Sequence, residues 1–176
     1  MIEIITAKPK HIPILLSFWE ALSSHLPESV FPSNQAAQKE RLQSLAEHVT
    51  SSSASVALLA ISSVRNKRKG EQTKVGSRNL DEAVIGCIAG HIHDRPEFDT
   101  SPLGILYNLW VSAEFRRQGV GRTLVLALEN QLREKGAKAL QVAWRHSERE
   151  NISSEAAAAF WQRLGYLHYE SIAGKV

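Results

Sequence analysis

Apolar positions along the chain change period several times, and each change marks an element. Ile-Glu-Ile-Ile-Thr over 2–6 reads as a short strand. Pro9 and Pro13 lead into Ile12, Leu15, Leu16, Trp19 and Leu22, a spacing that predicts a helix over about 9–23. Pro27, Pro32 and Ser33 punctuate a loop, with Ser33 placed to cap a second helix through Ala37, Leu42, Leu45, Ala46 and Val49. Ser53 to Val64 reads as a strand. A polar segment from Arg65 to Glu82 then joins it to a second apolar strand, Ala83 to His93, which contains Gly86 and Gly90. The two suit a hairpin with a long connection. After a loop containing Pro96 and Pro102, Ile105 to Val111 is apolar at almost every position, as a central strand covered on both faces should be.

The second half repeats the alternation. Val120, Leu124, Leu128 and Leu132 recur every four residues, so Gly119 to Lys135 reads as a helix, and Gly136 ends it. Ala139 to Trp144 is another strand. Ser153 or Ser154 is expected to cap a last helix whose apolar face is Ala157, Phe160, Trp161 and Leu164. Gly165 terminates that helix, and Tyr166 to Ser171 suits a final strand. The order β-α-α-β-β-β-α-β-α-β predicts an α/β (α+β) fold, with a mixed, mainly antiparallel sheet flanked by helices on both faces.

Composition narrows the class. A chain of 176 residues with 43% hydrophobic and 22% charged residues suits a single globular domain over 1–176. The formal charge of +3 is too weak to argue for nucleic acid but is compatible with an anionic ligand. Cys87 is the only cysteine, which excludes an internal disulfide and a cysteine metal cluster and fits a reducing cytoplasm. The first ten residues lack the basic start and apolar core of a signal peptide, and no run is long enough to span a bilayer.

The candidate chemistry lies between Ile105 and Leu126. An apolar strand ends at Val111, a short turn follows, and Arg116-Arg117-Gln118-Gly119-Val120-Gly121 opens an amphipathic helix. The first amides of a helix lack intrahelical acceptors and, with the helix dipole, favour an anion. Gly119 and Gly121 remove side chains that would block a phosphate, and Arg116, Arg117 and Arg122 can add charge. The pattern is neither a Walker A loop nor a dinucleotide fingerprint.

The stretch Leu109 to Leu124 resembles motif A of the GNAT (GCN5-related N-acetyltransferase) superfamily, Arg/Gln-x-x-Gly-x-Gly/Ala, with Arg116, Gly119 and Gly121 at the motif positions. Phe160-Trp-Gln-Arg-Leu-Gly-Tyr resembles its motif B. The resemblance implies that amides from Gln118 to Arg122, Val120 included, hold the pyrophosphate of acetyl-coenzyme A. The backbone of Leu109, Trp110 and Val111 would pair with the pantetheine arm where two strands diverge. An amide near Leu109 or Trp110 would polarise the thioester carbonyl. The implied reaction is N-acetyl transfer to a primary amine, of a small molecule or alternatively of a protein N-terminus or lysine. A non-catalytic coenzyme A sensor is a further alternative. Acetyl-coenzyme A acts as co-substrate, no metal is expected, and neither a membrane nor nucleic acid is an expected partner. A homodimer is left open.

Three positions depart from the family pattern. Trp161 stands where motif B often has a tyrosine acid, and an indole is a very poor proton donor. The thiolate would then leave unassisted, or be protonated by water, Tyr166 or Tyr107, though Tyr166 also suits the core. Tyr107-Asn108 stands where many members carry an acidic residue, so a base must come from elsewhere, with His91, His93, Asp94 and His146 as candidates. Ser154, with Asn151 one turn earlier, stands where a motif B asparagine is usual, and suits either a helix cap or a pantetheine contact. Phe18 and Trp19 suit the core or, by the resemblance, the acceptor site; Trp110 and Trp144 suit the core, the basic segment 65–74 a solvated connection rather than a contact with an acidic partner or RNA, and Cys87 an inert buried thiol.

Overall fold

The computed structural model describes residues 2–25, 34–62, 84–142 and 152–168, with backbone alone for His25 and for 152–154. Within them the chain runs β1 (Ile2–Thr6), a 3-10 turn (Pro9–His11), α1 (Ile12–His25), α2 (Gln35–Ser51), β2 (Ser55–Ser62), β3 (Val84–His93) and β4 (Leu103–Val111). A second 3-10 turn (Ala113–Phe115), α3 (Val120–Glu134), β5 (Ala139–Val142) and α4 (Ile152–Arg163) complete it. The strands form one sheet in the order β1-β2-β3-β4-β5. Neighbours pair antiparallel except β4 and β5, which are parallel and joined through α3. The expected mixed, mainly antiparallel sheet is therefore present.

Helices cover both faces because the strand side chains alternate between two apolar clusters. On one face, Leu58, Ile88 and Leu106 pack against Leu124, Leu128 and Leu132 of α3 and Trp161 of α4. On the other, Ala57, Leu59, Cys87 and Ala89 pack against Leu15, Phe18 and Trp19 of α1 and Ala46 and Val49 of α2. Phe18 and Trp19 are thus core residues, as their helical spacing suggests.

Several boundaries differ from expectation. Proline restricts the first helical stretch, so Pro9–His11 is a 3-10 turn and the α-helix starts at Ile12. The cap of α2 is Asn34, whose Oδ1 accepts from Ala37 N at 3.1 Å; Ser33 lies outside the described residues. The last helix starts at Ile152, so Ser153 and Ser154 fall in its first turn rather than before it. Tyr166 to His168 carry no regular structure, so the expected final strand does not begin at Tyr166; its remaining residues 169–171 lie outside the described part. The connection 65–82 and Trp144 also lie outside it.

Helix α3 meets its predicted ends. Gly119 is the N-cap with φ +84°, and Gly136 follows the C-cap Lys135 with φ +101°. Ala137 N donates to Leu132 O at 3.0 Å, closing the C-terminus. The helix can lie close on β3 because Gly86 and Gly90 leave room. A Cβ on Gly90 would come within 3.1 Å of both Leu128 and Leu132.

Candidate functional site

Strand β4 contains an irregularity invisible in its apolar pattern. Trp110 pairs with Cys87, yet Tyr107 pairs with Ala89, so β4 holds one more residue than β3 across this interval. Asn108 lies within it at φ +54°, a left-handed conformation that asparagine tolerates better than most residues. The Cys87 thiol donates to the Asn108 carbonyl at 3.8 Å. Burial pushes that thiol up to about 12, against smaller opposing pulls from the Trp19 indole and the Trp110 backbone, so it stays a neutral, inert thiol.

The described β4–β5 pairs run as far as Leu106–Val142, and the residues that follow Val142 lie outside the described part. Leu109 and Val111 face the α3 cluster, whereas Tyr107 and Trp110 face the α1/α2 cluster.

The chain then turns through Ala113–Phe115, and Arg117 adopts φ +62° before Gly119 at +84°. The first intrahelical bond of α3 runs from Thr123 N to Gly119 O at 3.0 Å, which leaves the amides of Val120, Gly121 and Arg122 without acceptors in the helix. Among the described residues, and apart from its chain neighbours, no atom lies within 4 Å of where a Gly119 Cβ would stand, so that side of the turn is open to them. Gly121 plays a different part. A Cβ there would meet the Phe160 ring at 3.5 Å and Val111 at 3.8 Å, so this glycine seats α3 against α4 and β4.

The arginines separate. Arg116 Nε donates to the Val111 carbonyl at 2.8 Å, and its guanidinium lies 4.6 Å over the Trp110 ring. Gln118 Nε2 donates to the Glu114 carbonyl at 2.8 Å. Arg117 and Arg122 are exposed.

Candidate proton carriers lie apart from this turn. His91 is four residues beyond Cys87 on β3, about 13 Å from the level of Trp110 at the usual strand rise. Its ring lies 5.4 Å from Tyr107 and 6.1 Å from His93. Burial, then His93 and His48, hold its imidazole below the usual histidine range. The Tyr107 hydroxyl is buried with no partner among the described residues, and burial pushes the phenol up to about 12. His93 is exposed at the far end of β3. Asp94 accepts from Ser101 Oγ at 2.7 Å, and that hydroxyl in turn accepts from Arg95 N at 2.8 Å, so Asp94 organises a loop. His146 and Asn151 lie outside the described residues, as does the Ser154 side chain.

The motif B aromatics are structural. Trp161 is 5% exposed within the core, edge-on to Phe160 and Tyr166. Tyr166 Oη donates to Glu129 Oε1 at 2.8 Å. Burial first, then the bond to Glu129 and its charge, raise the Tyr166 phenol, with Arg133 pulling the other way. A phenol held so firmly is a poor acid near neutral pH.

Comparison with known proteins gives the family and the fold. The family model described as "Acetyltransferase (GNAT) family" matches residues 29–166. No curated protein matches the sequence. Among solved structures, the chain is similar to a GCN5-related N-acetyltransferase from Ralstonia eutropha JMP134 (13% identity, TM-score 0.71), covering 100% of this chain and 99% of that one. It is similar to a predicted acetyltransferase with acetyl-CoA from Clostridium acetobutylicum (15%, TM-score 0.71, covering 100% and 96%). It is also similar to the aminoglycoside N-acetyltransferase AAC(6')-Iy in complex with CoA (15%, TM-score 0.68, covering 100% and 94%). Among the described residues, no helix is long and apolar enough to cross a membrane.

Proposed function

The chain belongs to the acetyltransferase (GNAT) family, and from that premise we propose that it transfers an acetyl group from acetyl-coenzyme A to a primary amine of a small molecule, by direct attack in a ternary complex. The observation that carries this reading is the left-handed turn at Arg117 and Gly119, which opens α3 with free amides beside the end of β4. Amides from Gln118 to Arg122 hold the pyrophosphate there. The backbone of Leu109 to Val111, at the end of β4 that leads into the turn, pairs with the pantetheine arm. An amide at Leu109 or Trp110 stabilises charge developing on the thioester oxygen.

The amine nitrogen bonds to the acetyl carbon, the carbon–sulfur bond breaks, and the coenzyme leaves as a thiolate. The amine must shed a proton. His91 takes it through water and the Tyr107 hydroxyl, because its depressed pKa keeps the imidazole neutral. Trp161 and Tyr166 are held in the core, so the thiolate leaves without a side-chain acid and is protonated by water. The fold likeness to aminoglycoside acetyltransferases supports reading the acceptor as a small molecule. The whole of 1–176 serves as one domain in the cytoplasm.

The test is a thiol-release assay with acetyl-coenzyme A against a panel of small amines and amine-bearing peptides, with calorimetry of coenzyme A binding. Turnover on small amines supports the reading, and turnover on peptides alone would replace it with protein acetylation. Binding without turnover would point to a coenzyme A sensor, which the buried Trp161 favours as the second reading.

A further inference from the structure

We infer that Arg116 is a positioning residue that latches the end of β4, and that the charge facing the donor phosphates comes from Arg117 and Arg122. This rests on the acetyl-coenzyme A reading above. Three cationic side chains surround the turn, and their sequence pattern treats them alike. Their contacts do not. The Arg116 Nε is committed to the Val111 carbonyl at 2.8 Å, and its guanidinium face covers Trp110 at 4.6 Å. Trp110 belongs to the α1/α2 side of the sheet, while Val111 packs on the α3 side. The Arg116 side chain therefore runs back from the turn and ties the strand end together from its edge. Gln118 does the same one step on, donating to the Glu114 carbonyl at 2.8 Å, so the turn is braced by its own side chains. All three arginines are exposed, but Arg117 and Arg122 make no hydrogen bond, ion pair or ring contact among the described residues.

A planar guanidinium can bond through its edge and stack through its face at once, which an ammonium cannot. Neither an ammonium nor the shorter glutamine amide reproduces both contacts, so under the latch Arg116→Lys and Arg116→Gln lose activity alike. Under a phosphate contact, Arg116→Lys keeps the charge and outperforms Arg116→Gln. The latch also acts on the Leu109 to Val111 backbone, so its loss extends to a donor without pyrophosphate.

The experiment measures kcat/KM of the full chain with acetyl-coenzyme A and with S-acetylpantetheine, which lacks the pyrophosphate. Arg116→Lys and Arg116→Gln are each expected to fall by roughly tenfold, by the same factor on both donors. Arg117→Gln and Arg122→Gln are expected to weaken acetyl-coenzyme A alone and to flatten its dependence on ionic strength. Arg116→Lys outperforming Arg116→Gln, with the loss confined to acetyl-coenzyme A, would overturn the latch. A ligand-free readout separates this from failure of the donor reading. Arg116→Lys should shift tryptophan emission, and the shift should vanish in a Trp110→Phe background. If the parent binds no coenzyme A, the donor reading fails while the emission shift still decides the latch; an unshifted spectrum overturns the latch by itself.

Discussion

At the scale of single residues, the two motif glycines do unlike work. Gly119 needs its positive φ of 84° but has open space around it, whereas Gly121 has an ordinary helical position and the Phe160 ring beside it. Replacing Gly119 by Leu should cost about 1–2 kcal/mol of stability from the left-handed backbone. It should also cost far more in coenzyme A affinity, because the side chain enters the open side of the turn. Unchanged calorimetric affinity in the folded variant would remove the cradle from the proposal. Gly121→Ala should fold normally, since its Cβ meets Phe160 at 3.5 Å, but larger residues there disturb α4 as well as any ligand. His91 gives a second prediction at this scale. Its folded pKa lies below 6.5, with Tyr107, His93 and His48 as the groups around it. Protonation therefore favours the unfolded chain. Stability should be flat above pH 6.5 and fall below it, until the folded pKa is reached. Activity should drop on the same side, and His91→Gln should abolish the acidic limb of both. A pH–rate profile unchanged in that variant would take His91 out of the proton path.

At the scale of elements, the approach of α3 to β3 decides where the turn is held. Leu128 and Leu132 sit over Gly90, and a Cβ there would stand 2.8 Å from the Ile105 carbonyl oxygen, which is backbone and cannot step aside cheaply. Gly90→Val should destabilise by about 1–3 kcal/mol through overpacking, read from a denaturant midpoint at constant m-value. Full stability would mean that α3 rides higher than the contacts indicate. Elements like α3 were legible in the sequence because Val120, Leu124, Leu128 and Leu132 carry one strong period and glycines mark both ends. The β4 bulge was not, since a strand buried on both faces has no alternation for an extra residue to interrupt. Likewise the sequence placed three arginines around the turn but not their directions. The fold of Arg116 onto Trp110 depends on a strand end and a loop meeting in space. His93 and Asp94 stood near His91 in the chain, yet strand geometry carries them away from Trp110.

At the scale of the whole molecule, the sheet separates two apolar clusters, and the bulge at Asn108 lies where both meet the same strand. Leu109 and Val111 look toward α3 and α4, Tyr107 and Trp110 toward α1 and α2. A donor held at the α3 end and an amine approaching from the α1/α2 side would thus meet at one stretch of backbone, with the helices on each face acting as separate walls. This arrangement makes a prediction about where binding is felt. Coenzyme A at about a hundred times its Kd should stabilise the fold by roughly 2.7 kcal/mol through mass action, which slows exchange of every globally protected amide. The amides of Val120, Gly121 and Arg122 differ, because in the free protein they have no acceptor in the helix and exchange without global unfolding. Direct hydrogen bonds to the pyrophosphate should slow them well beyond their neighbours later in α3, an outcome readable by residue-resolved hydrogen exchange. If instead protection rises throughout the core while these three amides stay fast, the ligand binds elsewhere on the molecule and the turn at Gly119 is only a helix cap.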